Sequence, residues 1–345
     1  MKKLCALISI LSIVLLFTSC GDSLNTLPNA SDQGSASPGH TDGDKLQIVA
    51  TIFPIYDWTR EIAGEKADVN MLFSKGVDLH SFQPSADDII TISDSDIFIY
   101  VGGASDEWVT DALSRSNNSD QIVINLMDLL DGYVKEEEII EGMQGDHDHG
   151  HDEHEEHDKH EEHEEEHEYD EHVWLSLSNA EIACQKICDV LCGADPDNAS
   201  FYTKQAESYI AKLNALDEQY REAVETASLN TVLFGDRFPF RYLTDDYSLD
   251  YYAAFVGCSA ESEARFETII FLANKVDELG LPAILTIETS AGEIAETIRK
   301  NTASKDQQIL VMDSMQSCTD KDLAEGKTYL KTMESNLAVL RQAIN

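Results

Sequence analysis

Short apolar, β-branched runs recur along this chain between amphipathic stretches of helical period, beginning at LQIVATIF (46–53), where Pro54 stops the run. A short helix over 56–63 follows, closed by Gly64, and 69–73 is the second strand expected. Ser85 with Asp88 three residues on is a capping start for a helix through 91. IFIYV (97–101), ended by Gly102 and Gly103, is a buried strand; 107–114 is helical, and 122–125 closes the set. Strands separated by helices in this way predict a parallel sheet with helices on both faces. Beyond a helix at 178–191, broken by GADPDN, a longer one runs from 198 to about 227 with Tyr209, Ile210, Leu213, Leu216 and Tyr220 at helical spacing. At roughly 1.5 Å per residue it exceeds about 40 Å, enough to span two lobes. The theme then repeats, with strands at 231–234, 252–255, 283–287 and 309–313 and helices at 261–279, 291–302 and 321–343. The class is therefore α/β: two parallel-sheet lobes (46–197 and 230–345) joined by one stiff helix (198–229). Their facing strand ends make the interlobe cleft the expected site.

One stretch breaks the pattern. From Asp146 to Trp174 the chain reads DHDHGHDEHEEHDKHEEHEEEHEYDEHVW, with nine of its 11 histidines, five Asp, ten Glu and one Lys. With so few apolar side chains and so much like charge, 146–171 buries no core and is expected to be disordered without metal. Its imidazoles and carboxylates suit Zn²⁺ and neighbouring divalent ions, so His147, His149, His151, His154, His157, His160, His163 and His167 are candidate low-affinity ligands. A purely solvated acidic tract is the alternative. The whole chain carries a formal charge of −41 over 345 residues, which argues against a nucleic-acid partner and favours cations.

The N-terminus, MKKLCALISILSIVLLFTSC, has the basic start, short apolar run and small residues of a secretory signal over 1–19. It resembles a lipobox ending in Cys20, with Phe17 where Leu is preferred. Residues 20–45 then form a lipid-bearing cysteine and a polar Gly/Ser/Pro/Asp tether, placing the body outside the cytoplasmic membrane on a lipid anchor; plain secretion is the other reading.

Two histidines lie outside the run: His40 in the tether, and His80 in the loop GVDLHSFQPS, between a strand and a capped helix. His172 ends the acidic run and enters an apolar segment. Glu288 directly follows the strand AILTI, at its carboxyl end. Each has a bland reading as a surface or strand-end group.

The stretches TIFPIYDWTREIAGEKADV, GVDLHSFQPS, DEHVWLSLSNA and AILTIETSAGEIAETI together resemble the metal-binding lipoproteins of bacterial ABC importers for zinc and manganese, and the likeness runs from Leu46 to Asn345. That resemblance implies two Rossmann-like lobes, a rigid linking helix and a monomer that captures a metal ion and delivers it to a membrane permease. It also implies metal ligands at His80, His172 and Glu288. The histidine-rich insert favours Zn²⁺ over Mn²⁺ as the cargo. The family's remaining ligand falls at Gly235, in LFGDRFPFRY, and no histidine follows His172. Asp236, a water, or His167 reaching over are the candidates to replace it, while Arg237 is expected to pair with a neighbouring carboxylate.

The resemblance further implies a disulfide between Cys258 and Cys318, which an exported protein can keep. Cys184, Cys188 and Cys192 fall on one helix stripe, as small apolar residues or a soft metal site. A manganese-preferring member of the same family, a secreted zinc hydrolase and an extracellular metal buffer or adhesin are the competing functions. The hydrolase lacks HExxH and GxSxG motifs, so no enzyme is expected.

Overall fold

The computed structural model describes residues 45–73, 76–116, 118–144, 169–259 and 263–345. The proposed signal, Cys20, the tether and the eight histidines from His147 to His167 lie outside the described residues. Among those described, no helix is long and apolar enough to cross a membrane.

The first lobe runs β1 (Leu46–Ala50), α1 (Phe53–Ala63), β2 (Ala67–Met71), α2 (Ala86–Ser93), β3 (Ile97–Tyr100), α3 (Trp108–Ser114), β4 (Ile122–Asn125), α4 (Leu126–Leu129) and, after the insert, α5 (Leu177–Ala194). The linking helix is α6 (Ala199–Glu225). The second lobe follows as β5 (Thr231–Phe238), α7 (Arg241–Asp246), β6 (Asp250–Val256), α8 (Phe266–Leu279), β7 (Ala283–Ile287), α9 (Glu293–Asn301), β8 (Gln308–Met312), α10 (Asp320–Ala324) and α11 (Tyr329–Ala343). Each lobe holds one four-stranded sheet, in orders β2-β1-β3-β4 and β6-β5-β7-β8. All pairings are parallel. In both sheets the order reverses beside the first strand, opening a crevice at the strands' carboxyl ends.

Several boundaries differ from the sequence reading. The run 46–53 is strand only to Ala50, because Pro54 sits in the first turn of α1, where its missing N–H costs nothing and its fixed φ suits a helix. The helix expected at 321–343 is two, separated at Gly326 (φ 81°), with Thr328 capping α11. Strand β5 runs four residues past 234, through a register shift between Phe234 and Arg237 against β6. That bulge re-aims Gly235 and Asp236.

The two lobes share a continuous buried core rather than meeting only through α6. On α6 the buried positions are Tyr202, Ala206, Tyr209, Leu213, Leu216, Tyr220 and Ala223, one stripe at alternating spacings of four and three. Tyr220 donates its hydroxyl to the Met333 carbonyl on α11 at 2.7 Å. Tyr329, also on α11, donates its backbone N–H to the Asp57 carboxylate of α1 (2.8 Å) and its hydroxyl to the Trp174 carbonyl (2.7 Å). Trp174 donates Nε1–H to the Ser314 carbonyl of the second lobe at 2.9 Å. These satisfied buried groups are costly to separate, so the cleft is held in register by packing.

Candidate metal site

Asp78 caps the short turn Leu79–Ser81 by accepting the His80 backbone N–H at 3.0 Å, which fixes the direction in which the His80 ring leaves the loop. His80 Nδ1 meets Ser105 Oγ at 2.7 Å and lies 3.8 Å from the Glu171 carboxylate. Both neighbours favour a proton on Nδ1, leaving the Nε2 lone pair free. Burial, the neighbouring His172 and the Arg237 charge push the His80 pKa down to about 3, so its imidazole is neutral in the working range.

His172 is fully buried. Asp170 Oδ1 accepts both its backbone N–H and its ring Nδ1–H at 2.8 Å, an arrangement that sets the tautomer and again directs Nε2 outward. The two Nε2 atoms face each other 3.3 Å apart. Zn–N bonds of about 2.0–2.1 Å at the tetrahedral angle place two ligating nitrogens roughly 3.3 Å from each other, so this pair is spaced for one ion. Gln316, from the loop after β8, also points its side-chain Nε2 at His172 Nε2 (2.8 Å), and its buried Oε1 has no hydrogen-bond partner among the described residues.

The third group here is one the sequence reading assigned elsewhere. Among the described residues, Cys258 joins His80 and His172 in a cluster whose ligand atoms all lie within 4.8 Å of one another. Cys258 follows β6 directly after Gly257, where a Cβ would stand 2.9 Å from the Phe238 carbonyl and 3.0 Å from His172 Cε1. Only glycine lets the strand end come this close to the imidazole. The disulfide expected between Cys258 and Cys318 is corrected by the structure, in which both thiols are free. Cys258 packs against the histidines, while Cys318 Sγ turns to the carbonyl of its own neighbour Thr319. The strand-end rule applied to Glu288 points equally to Cys258. Asp170, two residues before His172, and Gln316 had no such signal.

Glu288 does follow β7, but it does not join that cluster: its carboxylate accepts the Ser314 backbone N–H (2.7 Å) and hydroxyl (2.9 Å). Burial, with the Asp313 charge beside it, raises its pKa to about 7. Ser314, which holds Glu288, and Gln316, which reaches His172, belong to the same loop. Gly235 faces α9, where a Cβ would lie 2.6 Å from the Ala295 Cα, so no ligand side chain fits there. Asp236 is buried, with Oδ1 accepting the Arg237 N–H and Oδ2 unpartnered among the described residues. It lines a cavity of about 400 Å³ with Arg237, Phe255, Ser259 and Ile287. Arg237 pairs with Asp78 at 3.0 Å, as expected of it.

The helix stripe of cysteines shows no metal cluster among the described residues. Cys184 and Cys188 are buried, and Cys188 and Cys192 sulfurs approach to 3.9 Å. Burial raises the Cys184 thiol well above its ordinary value, as for a small apolar residue.

Comparison with known proteins shows the family. The profile of the family described as zinc-uptake complex component A, periplasmic (ZnuA) matches residues 48–343. The chain is 29% identical over 346 residues to the high-affinity zinc uptake system protein ZnuA of Bacillus subtilis (strain 168), covering 99% of this chain and 98% of that one. It is 32% identical over 301 residues to the zinc-binding lipoprotein AdcA of Streptococcus pneumoniae serotype 4, covering 86% of this chain but 56% of AdcA, so it spans about half the length of that relative. The Zn(II)-bound ZnuA-like domain of Streptococcus pneumoniae AdcA superposes with a TM-score of 0.66 at 26% identity, over 87% of this chain and 99% of that domain.

Proposed function

The chain belongs to the zinc-uptake component A family, a family of zinc-binding transport components rather than enzymes, and from that premise we propose how it takes up its ion and passes it on. It is an extracytoplasmic zinc-binding component of an uptake system, and Zn²⁺ is its cargo. His80 and His172 take the ion between their Nε2 atoms, and the second lobe closes the coordination sphere from the far side of the cleft. Glu288 supplies a carboxylate there when it exchanges Ser314 for the metal. Asp236 and water are the alternative oxygen donors. The observation that carries this reading is the 3.3 Å separation of the two imidazole Nε2 atoms, one ring having its tautomer fixed by Asp170. Two nitrogens and few oxygens favour Zn²⁺ over Mn²⁺, which prefers more oxygen ligands.

The partner we propose is the membrane permease of an ABC importer, with the protein monomeric and held at the outer face of the membrane by lipid on Cys20. The lipoprotein named among the relatives supports that anchor. The histidine-rich insert acts as a low-affinity store that exchanges ions with the two-histidine site. Titration of the full chain with Zn²⁺ is expected to show one tight event, abolished in His80→Ala and in His172→Ala, and a weaker set abolished by deleting 146–167. A tight event that survives both histidine substitutions overturns the assignment.

A further inference from the structure

We propose that Cys258, as a thiolate, is a direct ligand of the captured ion, giving the cleft a two-histidine, one-thiolate set. This rests on the reading of His80 and His172 as the ion's nitrogen ligands and adds a residue that a disulfide would otherwise withdraw.

Three observations point to it. The Cys258 sulfur lies within 4.8 Å of a ring nitrogen of each histidine, with its thiol free. A tetrahedral zinc with Zn–N near 2.05 Å and Zn–S near 2.3 Å needs nitrogen and sulfur roughly 3.6 Å apart, so the sulfur has at most about an ångström to travel. Gly257, tolerating contact with both Phe238 and His172, delivers the residue from a strand end in the lobe opposite the histidines. Meanwhile Glu288, the carboxylate expected to clamp from that lobe, is held by Ser314 through both of its oxygens. The second lobe thus presents a sulfur donor nearer to the nitrogens than its carboxylate.

On binding, the S–H bond breaks, sulfur donates its electron pair to the metal and the proton leaves to solvent; no electron transfer is involved. A thiolate is a soft donor that strengthens preference for Zn²⁺ and still softer ions over Mn²⁺. It also replaces the nitrogen ligand that Gly235 cannot carry.

Cobalt(II) reports on this directly, because a thiolate bound to it gives an intense near-ultraviolet charge-transfer absorption, whereas nitrogen and oxygen ligands alone give only weak visible bands. Reduced full-length protein titrated with Co²⁺ is expected to show both. In Cys258→Ser the charge-transfer band disappears while the visible bands persist, and preference for Zn²⁺ over Mn²⁺ falls about tenfold in competition. Zn²⁺ also protects Cys258 from alkylation, read by peptide mass spectrometry. Visible bands without charge transfer in the unsubstituted protein, or a charge-transfer band that survives Cys258→Ser, overturn the ligand and leave the two-histidine reading standing. No cobalt binding at all overturns both.

Discussion

Arg237 of the second lobe bonds the Asp78 carboxylate of the first at 3.0 Å, and the other oxygen of that same carboxylate holds the His80 backbone N–H. One acid therefore both aims a ligand and neutralises a cation beside the site. Removing its charge alone leaves Arg237 uncompensated next to a dication. Asp78→Asn is expected to weaken zinc binding about tenfold. Asp78→Asn with Arg237→Gln should recover most of that loss, because the repulsive charge goes too. Competition against a chelating dye decides it: equal losses in the single and double variants sink the charge argument.

The Asp170 carboxylate fixes the His172 tautomer from a fully buried position. Asp170→Asn can present an amide N–H to Nδ1, which moves the ring proton to Nε2 and takes away the lone pair the ion needs. Zinc affinity should drop by roughly 10- to 100-fold. The fold should be retained, checked by an unchanged far-ultraviolet circular dichroism spectrum; affinity within twofold of the unsubstituted protein counts against the tautomer argument.

The alternation of apolar runs with helical stripes was enough to place every strand of both sheets, since β-branched runs such as Ile97–Tyr100 and Ala283–Ile287 have to be buried on both faces. His80 and His172 stood out as candidates through the likeness of GVDLHSFQPS and DEHVWLSLSNA to a known family, since position alone left each a surface reading. Cys258 did not, because a disulfide implied by likeness competed for it and only the three-dimensional approach of Gly257 to His172 shows where the sulfur goes. The bulge in β5 was equally invisible: Gly235, Asp236 and Arg237 interrupt the apolar run so that the strand reads as ending at Phe234, and the shift of register depends on β6. The split of the last helix is signalled in the sequence by Gly326 and the capping Thr328.

Burial raises the pKa of Asp57 and Asp106 to about 6 and of Glu288 to about 7. Each then binds a proton more readily folded than unfolded, so its contribution to stability is full below the unfolded value and is lost as pH rises through 6 to 7. His80 works against them, since its depressed pKa makes the unfolded chain the better proton binder below about 6.5. Three groups outweigh one, and acid also relieves the self-repulsion of a chain at −41. Metal-free protein should be more stable at pH 5 than at pH 7.5, by on the order of 2 kcal/mol. Urea unfolding at the two values tests this, and a lower midpoint at pH 5 would falsify it.

Gly235 stands where related proteins are expected to place a ligand, yet its Cβ position is filled by the Ala295 backbone of α9. Restoring a histidine there by Gly235→His should therefore fail to tighten zinc binding and should cost stability by overpacking, roughly 1–3 kcal/mol or more. Gly235→Ala isolates the steric part, because a methyl group cannot reach any ion: the same 1–3 kcal/mol is expected from it, with zinc affinity changed less than threefold. Thermal unfolding without metal gives the first quantity and chelator competition the second. If Gly235→His instead binds zinc more tightly at unchanged melting temperature, then α9 yields to the side chain, and the strand end offers a fourth ligand position that the packing of Ala295 says is closed.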